Sequence, residues 1–218
     1  MCVIKVGARD SILSQVQIKE VLQELKAFYP EIDFEVTLLK TTGDLDQNTS
    51  LMSLDKTDFF TKEVDALVLQ GICDVGIHSA KDLPDPLPNG LELYALTKGV
   101  DPSDSLVLRE GDALESLCTY AKVGTSSLRR IAMLKEYRED LIPVDIRGNI
   151  QKRLQLLEER KVDALILAEA AIVRLGLLHL NRVPLKGEAA PLQGKLAVVG
   201  RSNHNLMKDY FKKIYEVL

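Results

Sequence analysis

The spacing of apolar and polar residues along the chain predicts an alternation of short strands and amphipathic helices. Residues 3–7 and 74–78 are short apolar runs of the kind found in strands. Ser11 is a good N-cap, and the apolar positions after it recur on one helical face as far as about Phe28. By the same criteria, strands are predicted at 34–40, 91–96, 105–108, 121–124, 141–146, 163–167 and 196–199, and helices at 58–70, 126–137, 148–160, 169–175 and 205–217.

This β-α-β order is typical of parallel sheets with helices on both faces. The segment 97–104, T-K-G-V-D-P-S-D, interrupts the order and is predicted to be a hinge. We therefore predict an α/β protein with two doubly wound domains and a cleft between them. The polar stretch 41–57 is predicted to be a mobile loop, and another loop runs through Pro184 and Pro191. The predicted bounds are 1–98 plus 196–218 for domain 1, which is discontinuous, and 101–192 for domain 2.

Composition narrows the class of protein. The chain has 218 residues, 46% of them hydrophobic, and a formal net charge of −4, so it has material for a sizeable core and no broadly basic face for nucleic acid. No apolar run is long enough to span a bilayer, and the first residues lack a secretory pattern. We expect a cytoplasmic monomer with no nucleic-acid or membrane partner. Cys2, Cys73 and Cys118 form no C-x-x-C pair and the histidines lack ligand spacing, so neither disulfides nor a metal site are expected.

The segment 123–130, V-G-T-S-S-L-R-R, carries the first candidate site. An apolar strand ends at a glycine, three hydroxyl residues follow, and a helix begins at two arginines. Backbone N–H groups at a helix start, the hydroxyls of Thr125, Ser126 and Ser127, and the charges of Arg129 and Arg130 together suit an anionic group. The alternative is a capped helix with two solvated arginines.

Other charged residues also follow predicted strands, where ligands bind in open α/β sheets. Such a concentration of cations in an acidic protein predicts a ligand with several carboxylates or phosphates. Six of the eleven arginines lie at or near this edge, namely Arg9, Arg129, Arg130, Arg147, Arg153 and Arg174, together with Ser11, Lys81 and Asn149.

Asp82 is a carboxylate among these cations, in H-S-A-K-D-L-P. It would weaken anion binding, so a chemical role is one hypothesis: it stabilises a cationic intermediate or moves a proton. The alternative is a structural role, in which Asp82 caps a short helix or pairs with Lys81 or an arginine. Cys73 and His78 flank a nearby strand, and a place in the core is favoured over a nucleophilic pair.

The chain resembles the porphobilinogen deaminase, or hydroxymethylbilane synthase, family over almost its whole length. The resemblance implies that the two domains are similar to periplasmic binding proteins, the first being discontinuous. The matching motifs occur in the family's order and spacing: G-A-R-D-S (7–11), T-T-G-D (41–44), F-F-T-K-E (59–63), H-S-A-K-D-L-P (78–84), V-G-T-S-S-L-R-R (123–130), D-I-R-G-N-I-Q-K-R-L (145–154) and V-R-L-G-L (173–177).

The family joins four porphobilinogen units into a linear tetrapyrrole of heme biosynthesis, with release of ammonia. Each pyrrole carries two carboxylates, which accounts for an arginine-rich site on an acidic protein. The resemblance implies that Asp82 is the catalytic aspartate, with Lys81 beside it, and that Phe60 packs or gates the site near Lys56. It assigns carboxylate binding to Arg9, Arg129, Arg130, Arg147, Arg153 and Arg174, and hydroxyl donors to Ser11, Thr125, Ser126 and Ser127.

Two departures from the family pattern keep alternatives open. The family holds a dipyrromethane cofactor on a cysteine of a third domain, which we expect to be absent here, and none of the three cysteines stands in a matching context. G-K-L-A (194–197) replaces the family's G-Q-G-A, and Thr57 stands where lysine is frequent. The resemblance thus implies a dipyrromethane cofactor without identifying its attachment residue. The chain is expected to be the transferase, with a non-catalytic binder of polycarboxylate pyrroles and a solute receptor as alternatives.

Overall fold

The computed structural model describes residues 2–53 and 58–214. The contacts within the chain divide it into two compact units. The sequence analysis predicts residues 46–53 to be part of domain 1, whereas the structure groups them with unit 2, where the Asp46 carbonyl accepts a hydrogen bond from Arg147 Nη2 at 2.7 Å. Unit 1 comprises Met1–Leu45, Lys56–Val100 and Leu192–Leu218, and unit 2 comprises Asp46–Asp55 and Asp101–Pro191.

Ten strands and seven α-helices form within the described residues. The strands are β1 (Val3–Arg9), β2 (Asp33–Leu39), β3 (Val75–Ser79), β4 (Leu91–Leu96), β5 (Asp104–Leu108), β6 (Lys122–Gly124), β7 (Ile142–Val144), β8 (Ala164–Ala168), β9 (Arg182–Leu185) and β10 (Leu196–Arg201). The helices are α1 (Ile12–Phe28), α2 (Thr42–Leu45), α3 (Lys62–Leu69), α4 (Leu128–Tyr137), α5 (Ile150–Glu158), α6 (Glu169–Arg174) and α7 (Asn205–Phe211).

Each unit is built on one five-stranded sheet, and the two sheets have the same arrangement. The strand order is β2-β1-β3-β10-β4 in unit 1 and β7-β6-β8-β5-β9 in unit 2. The predicted α/β class is confirmed. The sheets are mixed, whereas the β-α-β order is typical of parallel ones, because β10 and β5 run antiparallel to both of their neighbours. Neither strand is preceded by a crossover helix, which a parallel connection requires.

Strand β9 was predicted as part of a loop because it contains Pro184. The strand lies at the edge of its sheet and pairs only with β5, Ser105 opposite Pro184. A proline is tolerated in an edge strand, because one side of that strand's backbone has no neighbouring strand to bond with. Residues 182–185 can therefore form a strand because they lie at the edge of the sheet, and local sequence does not indicate that position.

The polar stretch 41–57 also contains more structure than predicted. It forms helix α2 and a short 3-10 turn at Leu51–Ser53. The Asp44 carboxylate stabilises the start of α2 by accepting hydrogen bonds from the Thr41 backbone N–H at 3.0 Å and from its hydroxyl at 2.8 Å. Residues 54–57 of the stretch lie outside the described residues.

Apolar side chains bury the central strands of both sheets. All five residues of β8 are buried, as expected for a strand covered on both faces. The core of unit 1 includes Ile4, Val21, Leu25 and Phe211, and unit 2 has one cluster with Leu106, Val123 and Leu134 and another with Val107, Ile146 and Leu157.

Candidate functional site

The turn that follows β6 is fixed by its own hydroxyl groups. Ser126 Oγ donates to the Ile146 carbonyl and accepts from the Ile146 N–H at 3.1 Å, which ties the ends of β6 and β7 together. Ser127 Oγ caps α4 by accepting from the Arg130 N–H at 3.5 Å, and buried Thr125 Oγ1 accepts from the Ser127 N–H at 3.3 Å. These three hydroxyl groups, predicted to bind a ligand, therefore form hydrogen bonds within the protein. For Ser127 the bond is the helix cap that the alternative interpretation predicts.

Arg129 and Arg130 converge on one buried carboxylate, that of Asp104. Arg129 Nη2 donates to Asp104 Oδ2, and Arg130 Nη2 donates to Asp104 Oδ1 at 2.6 Å. Two carbonyls complete the arrangement, since Arg129 Nη1 donates to Glu188 O and Arg130 Nη1 donates to Ile166 O at 3.2 Å. The alternative of two solvated arginines is wrong.

Burial alone would raise the pKa of the Asp104 carboxyl, since its side chain is 1% exposed. The charges and hydrogen bonds of Arg130 and Arg129 outweigh burial and hold the pKa below its ordinary value. Sequence reasoning missed Asp104 because it is the last residue of the predicted hinge. It begins the antiparallel strand β5, opposite Ala168 at the end of β8, and strand direction is not readable from local sequence.

Arg153 lies near two other arginines of unit 2, Arg130 and Arg147. Arg147 follows β7 and donates from Nη2 to the Asp46 carbonyl, and Arg153 on α5 donates from Nε to the Gly148 carbonyl at 2.9 Å. Asn149 caps α5, its Oδ1 accepting from the Lys152 N–H at 3.0 Å. Burial, and then the positive charges of Arg130 and Arg147, lower the pKa of Arg153 to about 10. Arg130 and Arg147 are therefore near enough to repel Arg153, and the charge of Asp145 opposes their effect.

We call this group the arginine cluster (Arg130, Arg147, Arg153). One of its N–H groups makes no hydrogen bond with the described residues. Arg130 Nε is buried and finds no hydrogen-bond acceptor in the described part of the chain. A carboxylate placed there would accept that hydrogen bond and offset the repulsion between Arg130 and Arg153. Arg174, at the end of α6, is half-buried and is not among the groups that shift the pKa of Arg153, so its predicted ligand role stays a prediction.

In unit 1, Arg9 at the end of β1 is held by an internal pair. Its Nε donates to Asp44 Oδ2 at 3.2 Å, its Nη2 donates to Asp44 Oδ1, and its guanidinium lies 4.5 Å from the centre of the Phe60 ring. Partial burial opposes ionisation of Asp44, but the bonds from Arg9 and Thr41 prevail and lower its pKa. The predicted ligand residue Arg9 is thus anchored by Asp44, which the sequence analysis did not single out.

Phe60 is packed from three sides. Its ring meets Arg9 and stands edge-on to Phe59 at a centroid distance of 5.3 Å, and a Cβ on Gly43 would overlap it. Gly43 therefore has to be glycine for steric reasons. The packing part of the predicted Phe60 role agrees with these contacts, and the gating part stays a prediction. Lys56, its predicted partner, lies outside the described residues.

Lys81 and Asp82 lie on the turn Ala80–Asp82 that follows β3. Lys81 Nζ donates to Gln193 Oε1 at 3.1 Å. The Asp82 carboxylate is half-buried and makes no hydrogen bond or ion pair with any described residue. The structural alternatives, a helix cap or a pair with Lys81 or an arginine, are therefore wrong for the described residues, and the carboxylate is available.

Ser11 is the N-cap of α1, its Oγ accepting from the Ser14 N–H at 3.1 Å, as predicted. Cys73 and His78 lie in the core, also as favoured. His78 Nε2 is 3.1 Å from Asp65 Oδ1, with both side chains buried, and burial raises the pKa of the Cys73 thiol. The described residues contain no group of three or more metal-ligating side chains and no helix with the length and apolarity to cross a bilayer.

The fold places the chain among the two-unit α/β proteins of the periplasmic-binding class. The structure of the methionine-binding protein MetQ matches with a TM-score of 0.60 at 14% identity, covering 97% of this chain and 88% of that one. The VFT2 domain of Bordetella pertussis BvgS matches with a TM-score of 0.57 at 14% identity, covering 99% and 88%. These likenesses concern the fold alone.

Comparison of the sequence with known families identifies the chain more narrowly than its fold does. The model for "porphobilinogen deaminase, dipyromethane cofactor binding domain" matches residues 4–209. A probable porphobilinogen deaminase of Chlamydia muridarum is 41% identical over 89% of this chain and 80% of its own, and the porphobilinogen deaminase of Pelotomaculum thermopropionicum is 44% identical over 97% and 69%. The chain belongs to the porphobilinogen deaminase family.

Proposed function

We propose that this protein is a hydroxymethylbilane synthase, which condenses four porphobilinogen molecules head to tail into a linear tetrapyrrole with release of ammonia. The observation that carries the proposal is the Asp82 carboxylate, which no described residue engages, on the turn after β3. The matching family and relatives support the same activity. No observation favours the alternative of a non-catalytic pyrrole binder.

Each condensation needs an anion beside a developing cation. The C–N bond of an aminomethyl group breaks, ammonia leaves, and the electron pair of the pyrrole nitrogen stabilises the resulting methylene cation. The free α-carbon of a second pyrrole then forms the new C–C bond and loses its proton. Asp82 would accept a hydrogen bond from the pyrrole N–H and stabilise the cation. Lys81 Nζ donates to Gln193 Oε1 and forms no ion pair with Asp82, so the Asp82 carboxylate is open to a substrate N–H.

The arginine cluster and Arg129 would bind the substrate carboxylates. Guanidinium groups pair with carboxylates through two parallel hydrogen bonds, which fixes orientation as well as charge. The buried, unsatisfied Arg130 Nε and the repulsion that lowers the pKa of Arg153 both favour an anion at this place. Arg9, Arg174, Ser11, Asn149 and the hydroxyls of Thr125, Ser126 and Ser127 are proposed to contribute at the margins, because most are already committed to internal bonds.

The same donors fit the dipyrromethane cofactor of the family, because that group is also a pyrrole polycarboxylate. Arg130, Arg147 and Arg153 would hold its carboxylates. When bound, it supplies the pyrrole carbon from which the chain grows. Its covalent attachment residue stays unassigned, since Cys2, Cys73 and Cys118 are free cysteines outside the family's attachment context.

The test is to incubate the protein with porphobilinogen, assay the linear tetrapyrrole, and measure the intact protein mass before and after. The parent should release product, and Asp82→Asn, which keeps the side-chain size, should fold and release none. Asp10→Asn is the matched control, because Asp10 is an exposed carboxylate just after β1 in the same unit. Unchanged turnover in Asp82→Asn would refute the role of Asp82. Binding of porphobilinogen by the parent without product would refute the enzyme and favour a binder.

A further inference from the structure

Asp104 brings together two side chains that the helix sends apart. Arg129 and Arg130 are consecutive residues of α4, so their Cα–Cβ directions differ by about 100° around the helix axis. Their guanidinium groups nevertheless meet on the two oxygens of one carboxylate. One acceptor therefore fixes the conformation of both arginines.

The carboxylate itself is rigidly placed. Asp104 begins β5, which lies between β8 and β9, and pairs with Ala168 on one side and Leu185 on the other. Its side chain is almost wholly buried. Because β5 is antiparallel to β8, its first residue lies at the edge where the parallel strand β8 ends, beside the start of α6.

One N–H group of Arg130 remains able to bond to a ligand after both arginines are fixed. The Arg130 guanidinium uses Nη1 on Ile166 O and Nη2 on Asp104, and its buried Nε has no acceptor among the described residues. A long arginine side chain loses rotamer entropy when it is ordered. Here that ordering occurs before a ligand arrives, since Asp104 and two carbonyls already hold both side chains.

We propose that Asp104 is a positioning residue for substrate recognition: it orients Arg129 and Arg130 so that Arg130 Nε meets a carboxylate of porphobilinogen. This inference rests on the proposed function and adds to it a residue that never touches substrate. The proposal also predicts whether removal of Asp104 strengthens or weakens substrate binding. If Asp104 were only a counter-charge, its removal would strengthen anion binding, because the site would gain a positive charge. If it positions the arginines, its removal weakens binding.

The test compares Asp104→Asn and Asp104→Glu with the parent and with Asp140→Asn, which removes a carboxylate from another arginine pair of unit 2, that with Arg138. Loss of one charge-assisted hydrogen bond predicts that Asp104→Asn raises KM for porphobilinogen about tenfold and changes kcat less. Asp104→Glu should restore part of the loss, and Asp140→Asn should keep the parental KM. A folded Asp104→Asn that binds porphobilinogen as tightly as the parent, or more tightly, overturns the proposal.

A second measurement needs no Asp104 variant. The NMR signal of Arg130 Nε–H, assigned by its loss in Arg130→Lys, should shift when the parent is saturated with porphobilinogen, and an unmoved signal overturns the proposal even if Asp104→Asn fails to fold. The two proposals fail separately. Binding without condensation in the parent overturns only the enzyme, whereas condensation with an unmoved Arg130 signal overturns only the role of Asp104.

Discussion

Lys81 Nζ donates to Gln193 Oε1 at 3.1 Å, so the cation next to Asp82 in the sequence is bound by an amide that precedes β10. Gln193 is buried. The consequence is geometric: the Lys81 ammonium bonds to an uncharged amide and does not form an ion pair with the Asp82 carboxylate. The proposed chemistry needs that carboxylate charged and available.

Replacement of Gln193 by leucine should therefore lower turnover without touching Asp82. Lys81 would lose its amide acceptor, and an ion pair with Asp82 formed in place of that hydrogen bond would be strong enough to reduce kcat about tenfold. The measurement is kcat for porphobilinogen consumption beside the unfolding midpoint. The double variant Gln193→Leu, Lys81→Met is the control, since it removes the competing ammonium. An equal loss of kcat with and without Lys81 would contradict the explanation.

Arg147→Leu tests carboxylate recognition by the arginine cluster. Removing one guanidinium should weaken porphobilinogen binding about tenfold or more, and should also reduce the dependence of affinity on salt, because one fewer ion pair is screened. Calorimetric titrations at low and high salt measure both effects. Arg160→Gln, an exposed arginine of the same unit, should behave as the parent does. An unchanged salt dependence in Arg147→Leu would count against ion pairing with the ligand.

Local features of the site were predictable from the sequence. Ser11 is an N-cap because a small hydroxyl residue precedes an amphipathic run, and the same local logic applies to Ser127 and Asn149. The order of β-α-β elements gave the α/β class, and motif spacing gave the family. The caps depend on residues within a few positions of one another, and the class and family on the order of elements and motifs along the chain.

The features that were missed are long-range. Asp104 meets Arg129 and Arg130 because β5 runs antiparallel into the sheet, and Asp44 meets Arg9 across 35 positions. Strand direction, edge position and the partner of a buried charge depend on tertiary packing, which overrides local propensity. The most consequential carboxylate of unit 2 was for that reason assigned to a hinge.

Acid should selectively remove the stabilisation that Asp44 provides. The pKa of Asp44 is lower in the folded protein than in the unfolded chain, so its pair with Arg9 stabilises unit 1 above the unfolded value of about 4 and is lost as pH falls through the folded value. Asp44→Asn should unfold at lower urea than the parent at pH 7, and this difference should shrink below about pH 4. Asp10→Asn should track the parent. A difference that persists undiminished at low pH would contradict the ionic origin.

Gly43→Ala should measure how closely the Phe60 ring, which contacts Arg9, packs against position 43. The added methyl group would overlap the Phe60 ring, and forcing a methyl into a packed contact costs about 1–3 kcal/mol of unfolding free energy. In a Phe60→Leu background the ring is gone, so the same substitution should cost much less. A double-mutant cycle measures this contact. It uses the urea unfolding free energies of the parent, the two single variants and the double variant, and its coupling energy is that of the contact between position 43 and Phe60. Equal costs in both backgrounds would mean that the loss comes from the backbone at position 43 and that Phe60 does not require the glycine.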